Sequence, residues 1–352
     1  MKIFAFAIGA SDRASSRWRV WDHVEWLSAQ GHEVRVDSLA APGVKSADRA
    51  FLKRFLLRYP RWLRDFLWSD AVLIQEAIEL WPAALFKNLG KRRQLVFDFS
   101  DPIDRGGTGL KRALRQWMFN LFVRRADAVV VENEAYIDLL TAHRDKCSHF
   151  YGPVDARSFR EIGNRIRREG TKNRPLRIGW TGSHGTIGFI APLFPLIDEL
   201  AREQPIEVVL VGIKSLDHTF EFASLTLVPF DHTADLRTVP SFDLGLFRLE
   251  DDEDALWRGA GKLFIYMAAG VPFIATDRGI ASGLMRRAKV GFPVAREADW
   301  PEVLRQAVND VEARREMIDR SLDFAQDNIS YDLYRLALLG HLTAGSSPGA
   351  DR

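Results

Sequence analysis

Residues 261–279 read GKLFIYMAAGVPFIATDRG, and this stretch decides the fold class. After Lys262 the chain is apolar as far as Gly270, which predicts a helix that packs on a sheet and ends with Gly270 as its C-terminal cap. Val271 and Pro272 then open the apolar run VPFIAT, which is typical of a buried strand. A buried helix joined to a buried strand by a two-residue turn is the repeating unit of an α/β domain.

The same alternation of strands and helices runs through most of the chain. Five strand-like runs precede residue 155: KIFAFAIG, HEVRVDSL, DAVLIQEA, RQLVFDFS and DAVVVEN. Five more follow residue 174: PLRIGWTG, IEVVLVG, LTLVPF, DLGLFRL and VPFIAT. Strands that alternate with helices predict βαβ units and parallel sheets, so we expect two doubly wound, Rossmann-like α/β domains in tandem.

The domain boundaries follow from where this pattern stops. Residues 1–155 and 175–328 are the two predicted domains, and the polar, charged stretch 156–174 between them predicts a linker. We expect a last helix over residues 329–343, which returns to the first domain, and a disordered tail over residues 344–352. A length of 352 residues also favours two domains over one core.

Composition restricts the class of protein further. The single cysteine, Cys147, excludes an internal disulfide, and no Cys/His cluster has zinc spacing. We expect neither a metal nor another cofactor. The apolar N-terminus lacks a signal-peptide cleavage region, and no run reaches the roughly 20 apolar residues of a membrane span. These features predict a cytoplasmic protein.

Charge is distributed unevenly along the chain. Residues 1–155 carry 24 Lys and Arg against 19 Asp and Glu, a net charge of +5, whereas the whole chain carries +2. A basic first half suits an anionic partner, either a phosphorylated substrate or anionic lipid, although uneven surface charge alone gives the same count.

One basic segment, Phe51–Trp68, interleaves arginines with apolar and aromatic residues. This composition is typical of a helix on an anionic membrane surface, which would make the protein peripheral at the inner face of the membrane. A helix that packs one face on a sheet is the structural alternative. Pro60 predicts a break into two short helices. Because no recognisable module accompanies the basic residues, nucleic-acid binding is not expected.

Two local motifs indicate an anion site in the second domain. In GWTGSHGT a strand meets a turn in which Gly182 allows close backbone approach, and free N–H groups with the Ser183 hydroxyl could hold phosphate. Lys262 lies in the first turn of its helix, where a cation opposes the helix dipole unless an anion is bound beside it. A tight turn and a solvated lysine are the alternatives. Neither a dinucleotide fingerprint nor a P-loop is present, which disfavours an NAD-dependent enzyme.

The order of these motifs resembles a known family. The run Lys-Leu-x-x-Tyr-Met-Ala-Ala-Gly-Val-Pro-x-x-Ala-Thr-Asp, with LRIGWTGSHGT and VVLVG before it, resembles the nucleotide-binding domain of family-four glycosyltransferases with the GT-B architecture. LSAQGHEV, VFDFSD and ADAVVVENEAY fall where that family places its N-terminal elements. The resemblance covers most of residues 1–335.

The resemblance implies a fold and an activity. Two Rossmann-like domains would face a cleft, with a nucleotide-sugar donor on the second domain and the acceptor on the first. The enzyme would be a metal-independent, retaining hexosyltransferase of cell-envelope polysaccharide biosynthesis, with a glycan or lipid-linked acceptor.

The resemblance also implies roles for individual residues. Phosphates would meet Gly182, Ser183 and Lys262, and the base would meet Val228 and Phe230. Leu263 and Tyr266 would lie near the ribose or on its supporting helix, and the stretch from Gly9 to Ser11 would face the sugar.

Further candidates come from polar residues near predicted strand ends. Asp98 and Asp101 could orient or deprotonate an acceptor hydroxyl, unless Asp101 only caps a turn before Pro102. His184 could reach the diphosphate or the sugar. Arg17 and Arg19 could hold a phosphate or be solvated.

The chain departs from the family at the ribose site. Ile265 stands where the family has a glutamate that binds the ribose hydroxyls, and the earlier glutamate of the family falls near Trp257. The acidic run of residues 250–254 either substitutes for these carboxylates or is a solvated turn. The loss leaves two alternatives open: a non-catalytic GT-B subunit that binds a partner or glycan, and a nucleotide-sugar epimerase.

Overall fold

The computed structural model describes residues 1–42, 49–170, 174–250 and 252–346, with side chains of residues 49–54, 253 and 346 left undescribed. The chain divides into two compact units. Unit 1 comprises residues 1–153 and the chain from residue 332 onward, and unit 2 comprises residues 154–331. Each unit is built on one six-stranded sheet whose strands are all parallel.

In unit 1 the sheet has the order β2-β1-β3-β4-β5-β6. Its strands are β1 (Lys2–Ala7), β2 (Glu33–Ser38), β3 (Ala71–Gln75), β4 (Gln94–Phe99), β5 (Ala128–Val131) and β6 (Cys147–His149). Its α-helices are α1 (Ala14–Arg19), α2 (Val24–Ala29), α3 (Arg49–Trp68), α4 (Trp81–Leu85), α5 (Gly109–Arg125) and α6 (Ala135–Leu139). Short 3-10 helices cover Trp21–His23, Ile78–Leu80, Thr141–Lys146 and Ala344–Ser346.

In unit 2 the sheet has the order β12-β11-β10-β7-β8-β9. Its strands are β7 (Leu176–Thr181), β8 (Ile206–Val211), β9 (Ser224–Val228), β10 (Leu244–Phe247), β11 (Phe273–Thr276) and β12 (Phe292–Val294). Its α-helices are α7 (Ala156–Glu169), α8 (Phe194–Leu200), α9 (Ala234–Thr238), α10 (Gly261–Ala269), α11 (Gly279–Ala288), α12 (Trp300–Asn309) and α13 (Val311–Asn328). The 3-10 helices are Ile187–Phe189, Ala191–Leu193, Val239–Ser241, Glu253–Leu256 and Glu297–Asp299. The last α-helix, α14 (Tyr331–Thr343), belongs to unit 1 from residue 332 onward.

The prediction of doubly wound α/β domains with parallel sheets is confirmed. In the chain's own order, unit 2 has the 3-2-1-4-5-6 arrangement of the Rossmann fold, and unit 1 has the related 2-1-3-4-5-6 arrangement. The predicted helix after Lys262 is also confirmed: α10 is buried from Leu263 to Ala269 and ends at Gly270, whose φ of 66° is left-handed. Glycine is favoured there because it has no Cβ penalty in that conformation.

The segment predicted as a linker, residues 156–174, has a different structure. Helix α7 occupies most of it, begins at an Asp155 side chain that accepts from Ser158 N, and packs on α10 and α13 within unit 2. A Cβ on Gly163 would lie only 2.7 Å from the carbonyl oxygen of Ala269. One narrow face of small and apolar residues is therefore enough to dock an otherwise charged helix. Residues 171–173, and 347–352 of the predicted tail, lie outside the described residues.

Helix α3 continues through Pro60, so the predicted break there is wrong. An interior proline costs about 3 kcal/mol because it removes one hydrogen bond and crowds the preceding turn. The buried face of α3 offsets this cost: Trp62 and Phe66 are 0% and 1% exposed, and Trp62 Nε1 donates to Asp37 Oδ2 at 3.0 Å. Burying two large aromatic side chains contributes about 1.5–3 kcal/mol each.

A buried polar network ties α14 to the sheet of unit 1. The guanidinium of Arg19 pairs with Asp98 and Glu132, and the Tyr334 hydroxyl donates to Asp98 Oδ2 at 3.0 Å and lies 2.9 Å from the Arg19 carbonyl oxygen. Arg19, Asp98 and Tyr334 are 0–1% exposed. This placement differs from the role expected for Asp98 and Arg19 at a substrate, because their charges are satisfied by each other inside the core.

His23 lies beside this network with both ring nitrogens occupied. Arg335 Nε donates to Nδ1 at 3.3 Å, so Nε2 carries the proton and donates to the Trp18 carbonyl oxygen at 2.5 Å. Burial lowers the pKa of His23 to about 3; the bond to Trp18 opposes this shift, and the charges of Arg335 and Arg19 add to it.

Acid should therefore destabilise unit 1 through His23. Between about pH 6.5 and pH 3 the unfolded chain binds a proton at this residue and the folded chain does not, so stability falls as pH falls, by up to about 1.4 kcal/mol per pH unit from this group. Urea unfolding of the wild type and of His23→Gln at about pH 7, 6 and 5 measures the difference. We expect a flatter pH dependence in the variant, and parallel curves would contradict the assignment.

Candidate active site

The order of each sheet fixes where a ligand would bind. In doubly wound sheets, ligands lie outside the carboxyl ends of the strands at the point where the strand order reverses. In unit 2 this point falls between β7 and β10, and in unit 1 it falls between β1 and β3. The loops after these four strands are therefore the structural candidates for binding.

In unit 2 the reversal point is built around the indole ring of Trp180. Trp180 is 1% exposed, and Lys262 Nζ lies 5.3 Å from the centroid of its ring. A Cβ on Gly182 would lie 2.3 Å from Cη2 of the same ring. The structure thus brings together two residues predicted to meet phosphate, and it shows why position 182 needs glycine.

The loop after β8 lies directly against the loop after β7. Gly212 has φ of 88°, and a Cβ there would lie 1.9 Å from the Gly182 carbonyl oxygen. Gly182 N donates to Val211 O at 3.0 Å, and Gly212 N donates to Val228 O at 2.8 Å. Sequence reasoning did not name Gly212; its signal is a glycine directly after the buried strand IEVVLV.

Ser183 and His184 complete the turn after β7, and both are exposed. The turn is closed by Thr186, whose hydroxyl donates to Ser183 O at 3.1 Å. His184 Nε2 accepts from Lys214 N at 3.4 Å. Ser183 and His184, which are predicted to contact phosphate and sugar, therefore lie on one hydrogen-bonded turn near Lys262.

The predicted base contacts lie at the end of β9. Val228 is the last residue of that strand and is half-buried. Phe230 follows it with 41% exposure, and its ring centroid lies 5.8 Å from that of His232. An aromatic face that is partly open to solvent can stack on a nucleobase.

The remaining predicted donor residues belong to the core of α10. Leu263, Ile265 and Tyr266 are 0–1% exposed, and the Tyr266 hydroxyl donates to Leu246 O at 3.1 Å. Leu263 and Tyr266 therefore lie in the core of α10, and a ribose contact or a role in supporting the ribose stays a prediction for both. Ile265 fills an apolar position and offers nothing to a ribose hydroxyl.

The acidic run after β10 is only partly described. Asp251 and the Glu253 side chain lie outside the described residues. Asp252 has structural partners, since Oδ1 accepts from Ala255 N at 2.7 Å and Oδ2 accepts from Arg258 at 3.2 Å. Glu250 and Asp254 are exposed, and a ribose contact from either of them stays a prediction.

Sequence reasoning missed two further cations in the β10–α10 connection. Arg248 directly follows β10, donates to Phe189 O at 2.6 Å and pairs with Glu297 at 2.8 Å. The Arg258 guanidinium lies 4.9 Å from the centroid of the Phe189 ring. Both arginines have carboxylate partners, Glu297 and Asp252, and lie in the connection that leads to Lys262; an arginine in such a loop is the available sequence signal.

In unit 1 the chain after β1 forms a tight turn at the reversal point. Gly9 N donates to Ser16 Oγ at 3.0 Å, and a Cβ on Gly9 would lie 2.6 Å from Cδ of Arg13. Ser11 is half-buried in this turn. Arg17 is 6% exposed, and its guanidinium lies 5.8 Å from the centroid of the Trp18 ring.

Asp101 lies just beyond β4 in a turn, where its carbonyl oxygen accepts from Ile103 N at 2.7 Å. Its side chain is half-buried, unlike that of Asp98 in the core. Gly9 and Ser11 follow β1 and Asp101 follows β4, so all three stand at the carboxyl edge of the unit 1 sheet. Among the described residues, no group of three or more His, Cys, Asp or Glu could hold a metal ion.

Comparison with known proteins agrees with this fold. Residues 16–145 match the family model described as a glycosyl transferase 4-like domain. HepE of Anabaena, solved in complex with UDP, superposes with a TM-score of 0.66 at 13% identity, covering 98% of this chain and 100% of that one. A glycosyltransferase from Rickettsia africae gives 0.69 at 11% identity, covering 99% of each chain. Sucrose-phosphate synthase of Thermosynechococcus elongatus gives 0.67 at 12% identity, covering 99% and 100%.

Residues 16–145 therefore match a glycosyl transferase 4-like domain, and the whole chain has the GT-B fold of these glycosyltransferases. The predicted resemblance and the predicted fold class are confirmed. The family-model match falls within unit 1, and the loops around Trp180 lie in unit 2.

Replacing Gly182 with alanine should destabilise unit 2, because the new methyl group collides with Trp180. We expect a loss of about 1–3 kcal/mol in unfolding free energy, since an overpacked site must move neighbouring groups. Gly188→Ala is the matched control, because a Cβ at that glycine meets nothing within 4 Å. Urea unfolding of the two variants checks this, and equal stabilities would contradict the packing argument.

Proposed function

We propose that this glycosyltransferase transfers a sugar from a nucleoside-diphosphate sugar to a cell-envelope glycan or a lipid-linked acceptor, with retention of configuration and without a metal. The observation that carries the donor assignment is the position of Lys262 Nζ at 5.3 Å from the ring of Trp180, beside Gly182. Glycan or lipid acceptors and retention rest on the family resemblance.

The diphosphate would bind where three favourable features meet. The N-terminus of α10 offers backbone N–H groups, Lys262 adds a full positive charge in the first turn, and the turn after β7 adds the Ser183 hydroxyl. A lysine in the first turn is unfavourable to an isolated helix, and a bound anion reverses the sign of that interaction. The same groups would stabilise the diphosphate as it leaves the sugar.

The base would stack near Phe230, whose ring is 41% exposed at the end of β9. HepE binds UDP, which makes a uridine nucleotide the first candidate. On the acceptor side we propose Gly9, Ser11, Arg17 and Asp101 in unit 1, with His184 of unit 2 toward the sugar. The acceptor hydroxyl would give its proton to Asp101 as its oxygen forms a bond to the anomeric carbon and the bond from that carbon to the diphosphate breaks.

One observation favours a second candidate, a non-catalytic GT-B subunit. Ile265 is 1% exposed within an apolar helix, so no carboxylate of α10 reaches a ribose. Losing a charge-assisted hydrogen bond of about 1.5–3 kcal/mol weakens binding by roughly 10- to 150-fold unless another group replaces it.

Nucleotide binding separates these candidates. We expect one of UDP, GDP, ADP, dTDP and CDP to raise the melting temperature of the wild type, with a stabilisation of about 2.7 kcal/mol at a concentration of 100 times Kd. Lys262→Ala should remove most of that shift. Arg305→Ala is the control, because Arg305 is paired with Glu203 away from the loops of the candidate site. No shift with any nucleotide would favour the non-catalytic subunit.

We further propose that the segment Phe51–Trp68 contacts an anionic membrane surface. Within α3, Leu56 and Leu57 are 64% and 70% exposed, and the side chains of Arg58, Arg61 and Arg64 are 40–70% exposed. Side chains of Lys53 and Arg54 lie outside the described residues. Exposed leucines beside arginines match the interface of an anionic bilayer, where each basic residue contributes about 1 kcal/mol. No helix in the described part of the chain is long and apolar enough to span a membrane.

Vesicle co-sedimentation tests the membrane contact. The wild type should bind vesicles that contain phosphatidylserine and should bind neutral phosphatidylcholine vesicles far less. Replacing Leu56 and Leu57 together with serine should weaken binding about tenfold or more, since two exposed apolar side chains no longer enter the interface. Leu336→Ser is the matched control, because Leu336 is 65% exposed on α14. Equal binding of all three proteins would contradict the proposal.

A further inference from the structure

Glu76 stands out at the reversal point of unit 1. It directly follows β3, and its φ of 57° makes it one of two described non-glycine residues with positive φ. The other, Lys289, forms the left-handed cap at the end of α11, which explains its conformation. Glu76 is not a helix cap, and a non-glycine residue in this region costs about 1–3 kcal/mol unless its surroundings hold it there.

The surroundings hold one oxygen of Glu76 and leave the other without a hydrogen bond. Ser100 N and Ser100 Oγ both donate to Oε1, at 3.1 and 2.5 Å. Glu76 N also donates to Asp98 O at 2.9 Å. Yet Glu76 Oε2, on a side chain that is 0% exposed, has no hydrogen-bond partner among the described residues. A buried carboxylate oxygen left in this state is costly, which indicates that a ligand completes it.

The neighbouring Gln75 has a donor group that lacks an acceptor. Its Oε1 accepts from Ile8 N at 3.3 Å and from Ser16 Oγ at 3.0 Å, which fixes the orientation of the amide. Its Nε2 is buried and has no hydrogen-bond partner among the described residues. At the β1/β3 reversal point the protein therefore leaves one acceptor and one donor unsatisfied. Hydroxyl groups both donate and accept, so a polyhydroxylated ligand satisfies both kinds of atom.

Arg13 covers Glu76 in this structure. Its Nη2 lies 3.8 Å from Glu76 Oε2, within the range of an ion pair and beyond that of a hydrogen bond. Its side chain is 49% exposed and packs across Gly9, where a Cβ would lie 2.6 Å from Cδ. A long, half-exposed side chain over a glycine can swing aside at small cost, whereas the strand residues beneath it cannot.

We infer that Glu76 and Gln75 form a sugar-hydroxyl subsite on unit 1, and that Arg13 is its displaceable cover. Glu76 Oε2 accepts a hydrogen bond from a hydroxyl of the ligand, and Gln75 Nε2 donates to another oxygen. The ligand class, a pyranose or cyclic polyol, rests on the proposed function. Glu76 is a binding residue, and no proton transfer is assigned to it.

Binding of free sugars without nucleotide tests this subsite separately from the donor site. Saturation-transfer NMR with D-glucose, D-mannose and myo-inositol should detect at least one of them on the wild type. Glu76→Gln keeps an acceptor for Ser100 and should weaken that binding at least about tenfold. Arg13→Ala should bind as tightly as the wild type or several-fold more tightly. Glu33→Gln, an exposed carboxylate at the start of β2, is the control and should not change binding.

Three results would overturn the inference: no binding of any of the three sugars, equal binding by Glu76→Gln and Glu33→Gln, or weaker binding by Arg13→Ala. A purely structural role predicts a lower melting temperature for Glu76→Gln with unchanged sugar affinity. Because Arg13 is half-exposed, its variant still decides the question if Glu76→Gln fails to fold. Since no nucleotide is present, failure here leaves the nucleotide test intact, and failure of that test leaves this result intact.

Discussion

The contact of Gly182 and Lys262 with the buried ring of Trp180 is the constraint on which the candidate donor site depends. It sets the distance between the turn after β7 and the first turn of α10. These segments follow the two strands between which the order of the sheet reverses, which is where ligands bind in doubly wound folds. The indole fixes the separation, and the lysine supplies the charge.

In unit 1 the region around the reversal point of the sheet contains polar side chains instead of an indole ring. Its reversal point joins the ends of β1 and β3, and the adjoining core carries the pair of Arg19 and Asp98, closed by Tyr334 from α14. A buried pair of this kind keeps its members in place only if every charge has a partner. Gln75 Nε2 and Glu76 Oε2, which have no hydrogen-bond partner among the described residues, lie by contrast at the carboxyl end of β3. We infer that a ligand binds at this edge of the sheet, because the polar groups of Arg19 and Asp98 in the core are paired and these groups at the end of β3 are not.

Much of the fold could be predicted from sequence, because local patterns decide it. Hydrophobic runs predict the buried helix after Lys262 and the parallel strands. The end of that helix is predicted by Gly270, because glycine readily adopts the left-handed conformation found there. Where local sequence preferences conflict with long-range packing, the prediction from the local pattern was wrong. Pro60 is tolerated because Trp62 and Phe66 are buried, and α7 can pack closely on α10 because Gly163 fits against Ala269.

The candidate sites were predictable only in part. Gly182 and Lys262 could be found because their neighbours along the chain carry the signal. Asp98 was misplaced and Glu76 overlooked because their environments are made by residues far away in sequence, such as Arg19 and Ser100. Whether a carboxylate is paired in the core or open to a ligand depends on those contacts, which no local pattern reports.

The most direct test of this account compares a nucleoside diphosphate with its parent nucleoside by titration calorimetry, in the wild type and in Lys262→Met. The methionine keeps the apolar stem over Trp180 and removes only the charge. If Lys262 binds the diphosphate, the variant should lose at least about tenfold in diphosphate affinity and retain its nucleoside affinity. Equal affinities of the two proteins for the diphosphate would contradict the role of Lys262 and, with it, the placement of the donor.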